Sequence, residues 1–276
     1  MTTIGFLHPG QMGVTIAANA GTKTAWAGNG RSPATAERAK SADIQDLGTV
    51  AALCEASDII ISICPPAAAI AVADEVVATG FEGTYVDANA VSPATSKEIG
   101  AKFASYIDGG VVGPPAIHPG STRLYLAGPG ADELALHWAG SALDVRPISD
   151  SASEAKASAL KMAYAGWTKG QSALLLAVNA LAESAGVADE LRAEWDLSQP
   201  GTTERSSQMI PALSRKAWRF AGEMEEIAAS MADGGVPDGF HLGAAELYYR
   251  MAEFKEGPEP SLSEVVEAIL QPGQTS

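Results

Sequence analysis

The sequence predicts an α/β fold: an N-terminal Rossmann-type doubly wound parallel sheet, a long connecting helix and an all-α C-terminal domain. Strand-like and helix-like segments alternate through the first half, which calls for a parallel sheet with helices on both faces. No proline occurs between Pro147 and Pro200, and residues 151–185 carry helical periodicity throughout. A glycine-bearing turn joins the first strand to the first helix. The expected domains are 1–150 and 151–276, with 151–185 as the connecting helix.

Residues 3–8 read as a buried strand and 10–20 as a helix. Residues 23–27 are a second strand, and 33–40 a helix with Ser32 as N-cap and Pro33 at its first position. Residues 58–63 are β-branched and stopped by Pro65-Pro66, the strongest strand signal in the chain. Helix 67–79 and strand 84–88 follow, then strands 105–112 and 123–127, helix 132–141 and strand 143–148. The connecting helix would run about 50 Å at ~1.5 Å per residue. Its apolar residues Leu160, Tyr164, Trp167, Leu174, Val178 and Leu181 repeat at helical spacing. Further helices are expected at 203–215, 217–232, 240–252 and 262–270, with 271–276 a loose tail.

Of 276 residues, 46% are hydrophobic and 18% charged, enough to bury a core and too apolar for wholesale disorder. Thirty-three acidic against 18 basic residues give a net charge of −15, the wrong sign for a general nucleic-acid or anionic-membrane binder. Apolar runs are strand-sized or broken, so no membrane span is expected. Cys54 and Cys64 are the only cysteines, and with four scattered histidines they suggest neither a disulfide framework nor a zinc site. No secretory signal is visible at the start, and a cytoplasmic location is expected.

The turn Gly5-Phe6-Leu7-His8-Pro9-Gly10-Gln11-Met12-Gly13 stands where a dinucleotide pyrophosphate loop belongs. Gly10 would let the backbone approach the phosphates, and Gly13 would let the helix pack closely; His8 occupies the place of the usual first glycine. At the end of the second strand an NAD site wants a carboxylate for the ribose diol. Here stand Asn29-Gly30-Arg31-Ser32, and the first acidic residue is Glu37. An arginine followed by a hydroxyl suits a 2′-phosphate, so NADP(H) is expected over NAD(H). Cys64, Pro65 and Pro66 end the next strand at the cofactor edge, and Asn89, after Asp87, can orient a carboxamide or a reacting substrate group.

Lys161 is the candidate acid/base. Ala157, Ser158, Lys161, Ala165, Thr168 and Ser172 share one narrow face of the long helix, which would leave room for a ligand beside a desolvated ammonium. Val111, Val112 and Gly113 form a low-bulk run suited to lining a substrate cleft, together with Tyr164 and Ala165; His241, opening a late helix, is a further candidate.

In these motifs, taken in order, the chain resembles the β-hydroxyacid dehydrogenase superfamily, which includes 3-hydroxyisobutyrate and 6-phosphogluconate dehydrogenases and has imine reductases as relatives. The matching residues are 4–13, 29–32, 58–66, 87–93, 108–113, 120–128 and Lys161. Trp218-Arg219, the run 223–228 and Gly239-Phe240-His241 resemble the all-α domain of phosphogluconate dehydrogenase-like NAD-binding proteins. The resemblance implies hydride transfer at a nicotinamide with Lys161 as general acid/base, substrate between the two domains, and a homodimer formed through the helical domain. Three positions depart from it: Ala165 replaces an Asn, Val112 a carboxylate-binding Ser, and Asn89-Ala90 a Ser-Thr. No basic cluster follows Lys161, which argues against a sugar phosphate. The departures leave open imine reductase or reductive aminase chemistry, and a protein that binds NADP without turnover.

Overall fold

The computed structural model describes residues 2–271; the tail expected at 271–276 lies, from 272 on, outside the described residues. Two compact units are present, 1–162 and 163–276. The first holds one eight-stranded sheet. In chain order its elements are β1 (Thr3–Phe6), α1 (Gln11–Ala18), β2 (Lys23–Trp26), α2 (Pro33–Ser41), β3 (Gln45–Asp46), α3 (Val50–Ala56), β4 (Ile59–Ser62), α4 (Ala69–Val77), β5 (Thr84–Asp87), α5 (Pro93–Gly100), β6 (Ser105–Val112), β7 (Thr122–Ala127), α6 (Ala131–Ala135) and β8 (Leu143–Ser149). The strand order is β3-β2-β1-β4-β5-β6-β7-β8.

The pairing is parallel except between β6 and β7, which run antiparallel. The expected doubly wound parallel sheet thus carries one reversal, at β7. Residues 113–121 are too few for the crossover that a parallel neighbour requires, so the chain turns straight back. The two faces of the sheet carry separate apolar clusters. Phe6, Ile16, Trp26, Ile61 and Val111 lie in one, and Leu7, Leu53, Ile60, Tyr85 and Ile99 in the other. The alternation Ile60/Ile61 sends neighbouring side chains to opposite faces, as the two-residue strand period requires.

The long helix α7 is Lys156–Ala185, and the boundary between the units falls inside it. Its first turn is tied to β6 by Asp108, which keeps that turn with the sheet. The second unit holds the rest of α7, then α8 (Ala188–Ser198), α9 (Thr202–Asp233), α10 (Gly239–Arg250) and α11 (Leu262–Leu270). The two helices expected at 203–215 and 217–232 are one continuous helix, with Pro211 inside it. Serine 261 opens α11 with a capping box: its hydroxyl accepts from Glu264 N, and Glu264 closes back on Ser261 N at 2.7 Å.

The α7 face corrects the sequence reading. Ala165, Gly166, Gly170, Ser172 and Ala173 are buried, so the small residues are the packing face. A Cβ at Gly166 or Gly170 would stand 3.4 Å from the His241 imidazole of α10, which shows how closely these helices approach. The apolar stripe faces outward instead: Trp167 is 69% exposed, Leu181 67%, Leu174 50% and Tyr164 47%.

Candidate cofactor and catalytic site

Four strand ends of the first unit build the candidate site. After β1 the chain turns tightly: Gly10 N donates to His8 O at 2.8 Å, and α1 starts with no side-chain cap on its amides. A Cβ at Gly13 would lie 2.8 Å from His8 O, so only glycine allows the helix this close to the turn. A Cβ at Gly10 would meet nothing within 4 Å, so the loop is open on that side. Both observations match what a pyrophosphate loop needs: a close helix, free amides and room for the anion.

After β2, Asn29 N donates to Gly48 O at 2.8 Å and Gly28 N to Asp46 Oδ1 at 3.0 Å. Gly48 N donates to the same oxygen at 2.8 Å. Asp46 is a residue the sequence reading passed over. It stands far along the chain from Asn29, but pairing of β2 with β3 brings it to the β2 end, where its carboxylate fastens the loop that carries Arg31. Room for that carboxylate exists because residue 28 is glycine; a Cβ there would collide with Asp46. Ser32 caps α2 through Thr35 N, as its position before Pro33 implied.

The β4 and β5 ends are joined by Asn89. Its side-chain oxygen accepts from Cys64 N at 2.6 Å, its amide donates to Ser62 Oγ at 3.1 Å, and its own N–H donates to Asp87 Oδ1 at 2.9 Å. The side chain is buried and both of its ends are occupied, so its job is to hold two loops together. Burial pushes the Cys64 thiol up to about 11, which keeps it protonated at neutral pH. Pro65 and Pro66 lead from this loop into a 3₁₀ turn at Pro66–Ala68.

His8 and Arg31 face one another electrostatically. Burial first, and the Arg31 guanidinium second, push the His8 imidazole down to about 4. His8 Nδ1 and Arg31 Nε are buried without a hydrogen-bond partner. Two such orphaned donors or acceptors at the edge where a dinucleotide would lie fit an anionic ligand that would satisfy them.

Lys161 is placed by its helix. Asp108 is fully buried on β6; its Oδ2 accepts from Ala157 N at 2.8 Å and Ser158 N at 3.0 Å, and its Oδ1 from Ser158 Oγ at 2.5 Å and Ser96 Oγ at 2.9 Å. A strand carboxylate thus caps the α7 N-terminus. Gly110, two residues on, lets the helix settle: a Cβ there would lie 2.6 Å from Ala157 O and 3.2 Å from Lys161 Cβ. Lys161 therefore starts from the C-terminal half of β6, on the same side of the sheet's edge as Asn89.

Of the remaining candidates, Val111, Val112 and Gly113 belong to the first unit, and Tyr164, Ala165 and His241 to the second. Val111 and Val112 are buried in β6, Val111 in the core, so neither side chain is free to line a cleft. Gly113 is exposed with φ of 120°, and a side chain there would strike Ser121 O. In the second unit Tyr164 is exposed and Ala165 is buried. His241 is buried, with Nε2 3.4 Å from Gly166 O. No cluster of metal-ligating side chains occurs among the described residues, and no described helix is long and apolar enough to cross a membrane.

Residues 182–251 match a family described as a domain of unknown function, DUF1932. No curated protein matches the sequence. Among solved structures, a 3-hydroxyisobutyrate dehydrogenase from Salmonella typhimurium superposes with a TM-score of 0.67, at 16% identity over 97% of this chain and 99% of that one. The chain has the β-hydroxyacid dehydrogenase fold. A conserved hypothetical protein from Sinorhizobium meliloti 1021 superposes with a TM-score of 0.65, at 22% identity over 98% of this chain and 96% of that one. A reductive aminase from Aspergillus terreus, described in complex with NADPH, matches at 18% identity and 0.54 over 96% and 98%.

Proposed function

We propose that the chain is an NADP(H)-dependent oxidoreductase acting on a small carbonyl/alcohol pair, with Lys161 as general acid/base. The observation that carries this reading is the placement of Lys161. Asp108 and Gly110 set it beside β6, in the same unit as the glycine loop and the Arg31 loop. The loop 5–13 would take the pyrophosphate, Arg31 and Ser32 the 2′-phosphate, and Cys64, Pro65 and Pro66 would flank the cofactor. A bound nicotinamide supplies or accepts the hydride. Lys161 gives its proton to the carbonyl oxygen in reduction and recovers it in oxidation. Asn89 acts as a positioning residue, because its amide is spent on Ser62 and Cys64.

The exposed stripe of Tyr164, Trp167, Leu174 and Leu181 supports a homodimer through the helical unit. Two free cysteines and the absence of a spanning helix among the described residues accord with a cytoplasmic enzyme. The test is turnover of hydroxy acids, ketones and cyclic imines with NADPH and NADH. Lys161→Ala should lower the best turnover at least about a hundredfold. Unchanged turnover in that variant removes Lys161 from the chemistry, and tight NADPH binding with no turnover on the panel indicates a binding protein. A rate confined to imines assigns reductive amination or imine reduction.

A further inference from the structure

In the β1–α1 turn His8 stands where the resemblance implies glycine, and Pro9 follows it. The turn does not require glycine at position 8. The left-handed non-glycine residues among those described are Asp43 and Ala155, so His8 has an ordinary backbone. The tight approach is carried instead by Gly13, packed against His8 O. Pro9, for its part, has no N–H and removes one backbone donor from the loop. A loop that has lost an amide thus carries an imidazole next to the gap. The imidazole is half-buried, and its Nδ1 has no partner. Burial and the neighbouring Arg31 keep the ring neutral at physiological pH. A neutral imidazole offers a single N–H, a directional donor that needs no counter-charge.

We propose that His8 is a cofactor-binding residue whose Nδ1–H donates to a pyrophosphate oxygen of the dinucleotide, replacing the amide that Pro9 lacks. Arg31 supplies the positive charge from the β2 end. The inference rests on the dinucleotide-binding reading above, and it divides the labour between two residues. His8 serves the phosphates common to both dinucleotides; Arg31 serves the 2′-phosphate that only NADP carries.

Titration calorimetry with NADPH and NADH on the purified full chain tests it. For NADPH and NADH alike, His8→Gly should weaken binding by about tenfold or more, the loss expected for one hydrogen bond to a charged group. His8→Gln, which keeps an N–H donor, should recover part of that loss. Arg31→Ala should weaken NADPH and leave NADH nearly unchanged. If the wild type binds both dinucleotides and His8→Gly binds them equally well, His8 has no such role. A loss in His8→Gly confined to NADPH would overturn the pyrophosphate assignment. No binding by the wild type would overturn the cofactor reading itself. Should His8→Gly fail to fold, the His8→Gln arm decides alone: binding weakened as far as by full loss of the donor refutes the proposal.

Discussion

Replacing Asp108 tests how the fold places its catalytic candidate. The carboxylate sits on β6 with no exposure and takes four hydrogen bonds, two from the first amides of α7 and two from the Ser158 and Ser96 hydroxyls. Asp108→Ala strips the acceptor from all four. The hydroxyls can turn to other partners; Ser96 already lies 2.8 Å from Tyr106 OH. The two amides cannot turn, and each buried N–H left unpaired costs roughly 1–3 kcal/mol, for a total of about 4 kcal/mol. Asp108→Asn retains an oxygen for the amides and presents its NH₂ to hydroxyls that can reorient, so it should cost only about 1–2 kcal/mol. At ~2–4 °C per kcal/mol for a domain of this size, the midpoints should fall by roughly 8–16 °C and 2–8 °C. Thermal unfolding followed by circular dichroism measures both. Because Lys161 lies one helical turn beyond the cap, turnover at saturating cofactor should fall in Asp108→Asn while cofactor affinity holds. Wild-type stability in Asp108→Ala would refute the cap, and wild-type turnover in a destabilised Asp108→Asn would separate the cap from Lys161.

Other perturbations read other parts of the structure. His8 has its pKa lowered from 6.5 to about 4, first by burial and then by Arg31. Between those values the unfolded chain takes up a proton that the native state refuses, so this residue's contribution to stability should decline as pH falls through that window. Urea midpoints from pH 7 to 4 should show the decline, and His8→Gln should flatten it. Asp108 has the opposite sign: burial raises its pKa against the pull of its hydrogen bonds, so its contribution should grow as pH falls through its folded pKa. On the exposed stripe, Trp167→Glu with Leu181→Glu should abolish the proposed dimer in analytical ultracentrifugation without lowering the melting temperature much, because both side chains face outward. An unchanged dimer would place the contact elsewhere. Ketones lacking a carboxylate should give higher kcat/KM than matched 3-keto acids; the reverse order would mean that another residue holds the acid.

Much of the architecture was legible because the relevant signals are local. Strand 105–112 and helix 262–270 match the structure residue for residue, and the structure adds a capping box at Ser261 and Glu264 that opens the helix. Helix α5 was missed although Ser92-Pro93 repeats the Ser32-Pro33 signature that was read correctly for α2. Helices α3 and α8 were missed too; α3 is a short seven-residue turn of helix with no proline to mark it. The reversal at β7 was readable from loop length and went unread. The face of α7 was not readable from periodicity alone. Small residues and large apolar residues form two stripes with the same period, and the pattern does not say which one faces inward. Gly166 and Gly170, spaced four apart, were the cue that the small stripe packs. Asp46 and Asp108 could not be found from spacing, because each acts on backbone far along the chain.

The three departures from the resembled family acquire a physical meaning in this structure. Asn89, Val112 and Ala165 are not polar groups relocated within a cleft; all three are buried. Asn89 ties neighbouring loops through Cys64 N and Ser62 Oγ, Val112 pairs with Arg123 in the sheet, and Ala165 lies on the packing face of α7. Val112 and Ala165 carry no polar side-chain group to hold a carboxylate, and the Asn89 side chain is buried in its link between two loops. The placement of Lys161 depends on none of them: its helix is anchored by Asp108 and fitted by Gly110, residues whose work is done by backbone contact and buried hydrogen bonds. On the proposed reading, single substitutions at these positions remove acid recognition and leave the proposed acid/base, Lys161, in place. That reading predicts an altered substrate set with the chemistry retained.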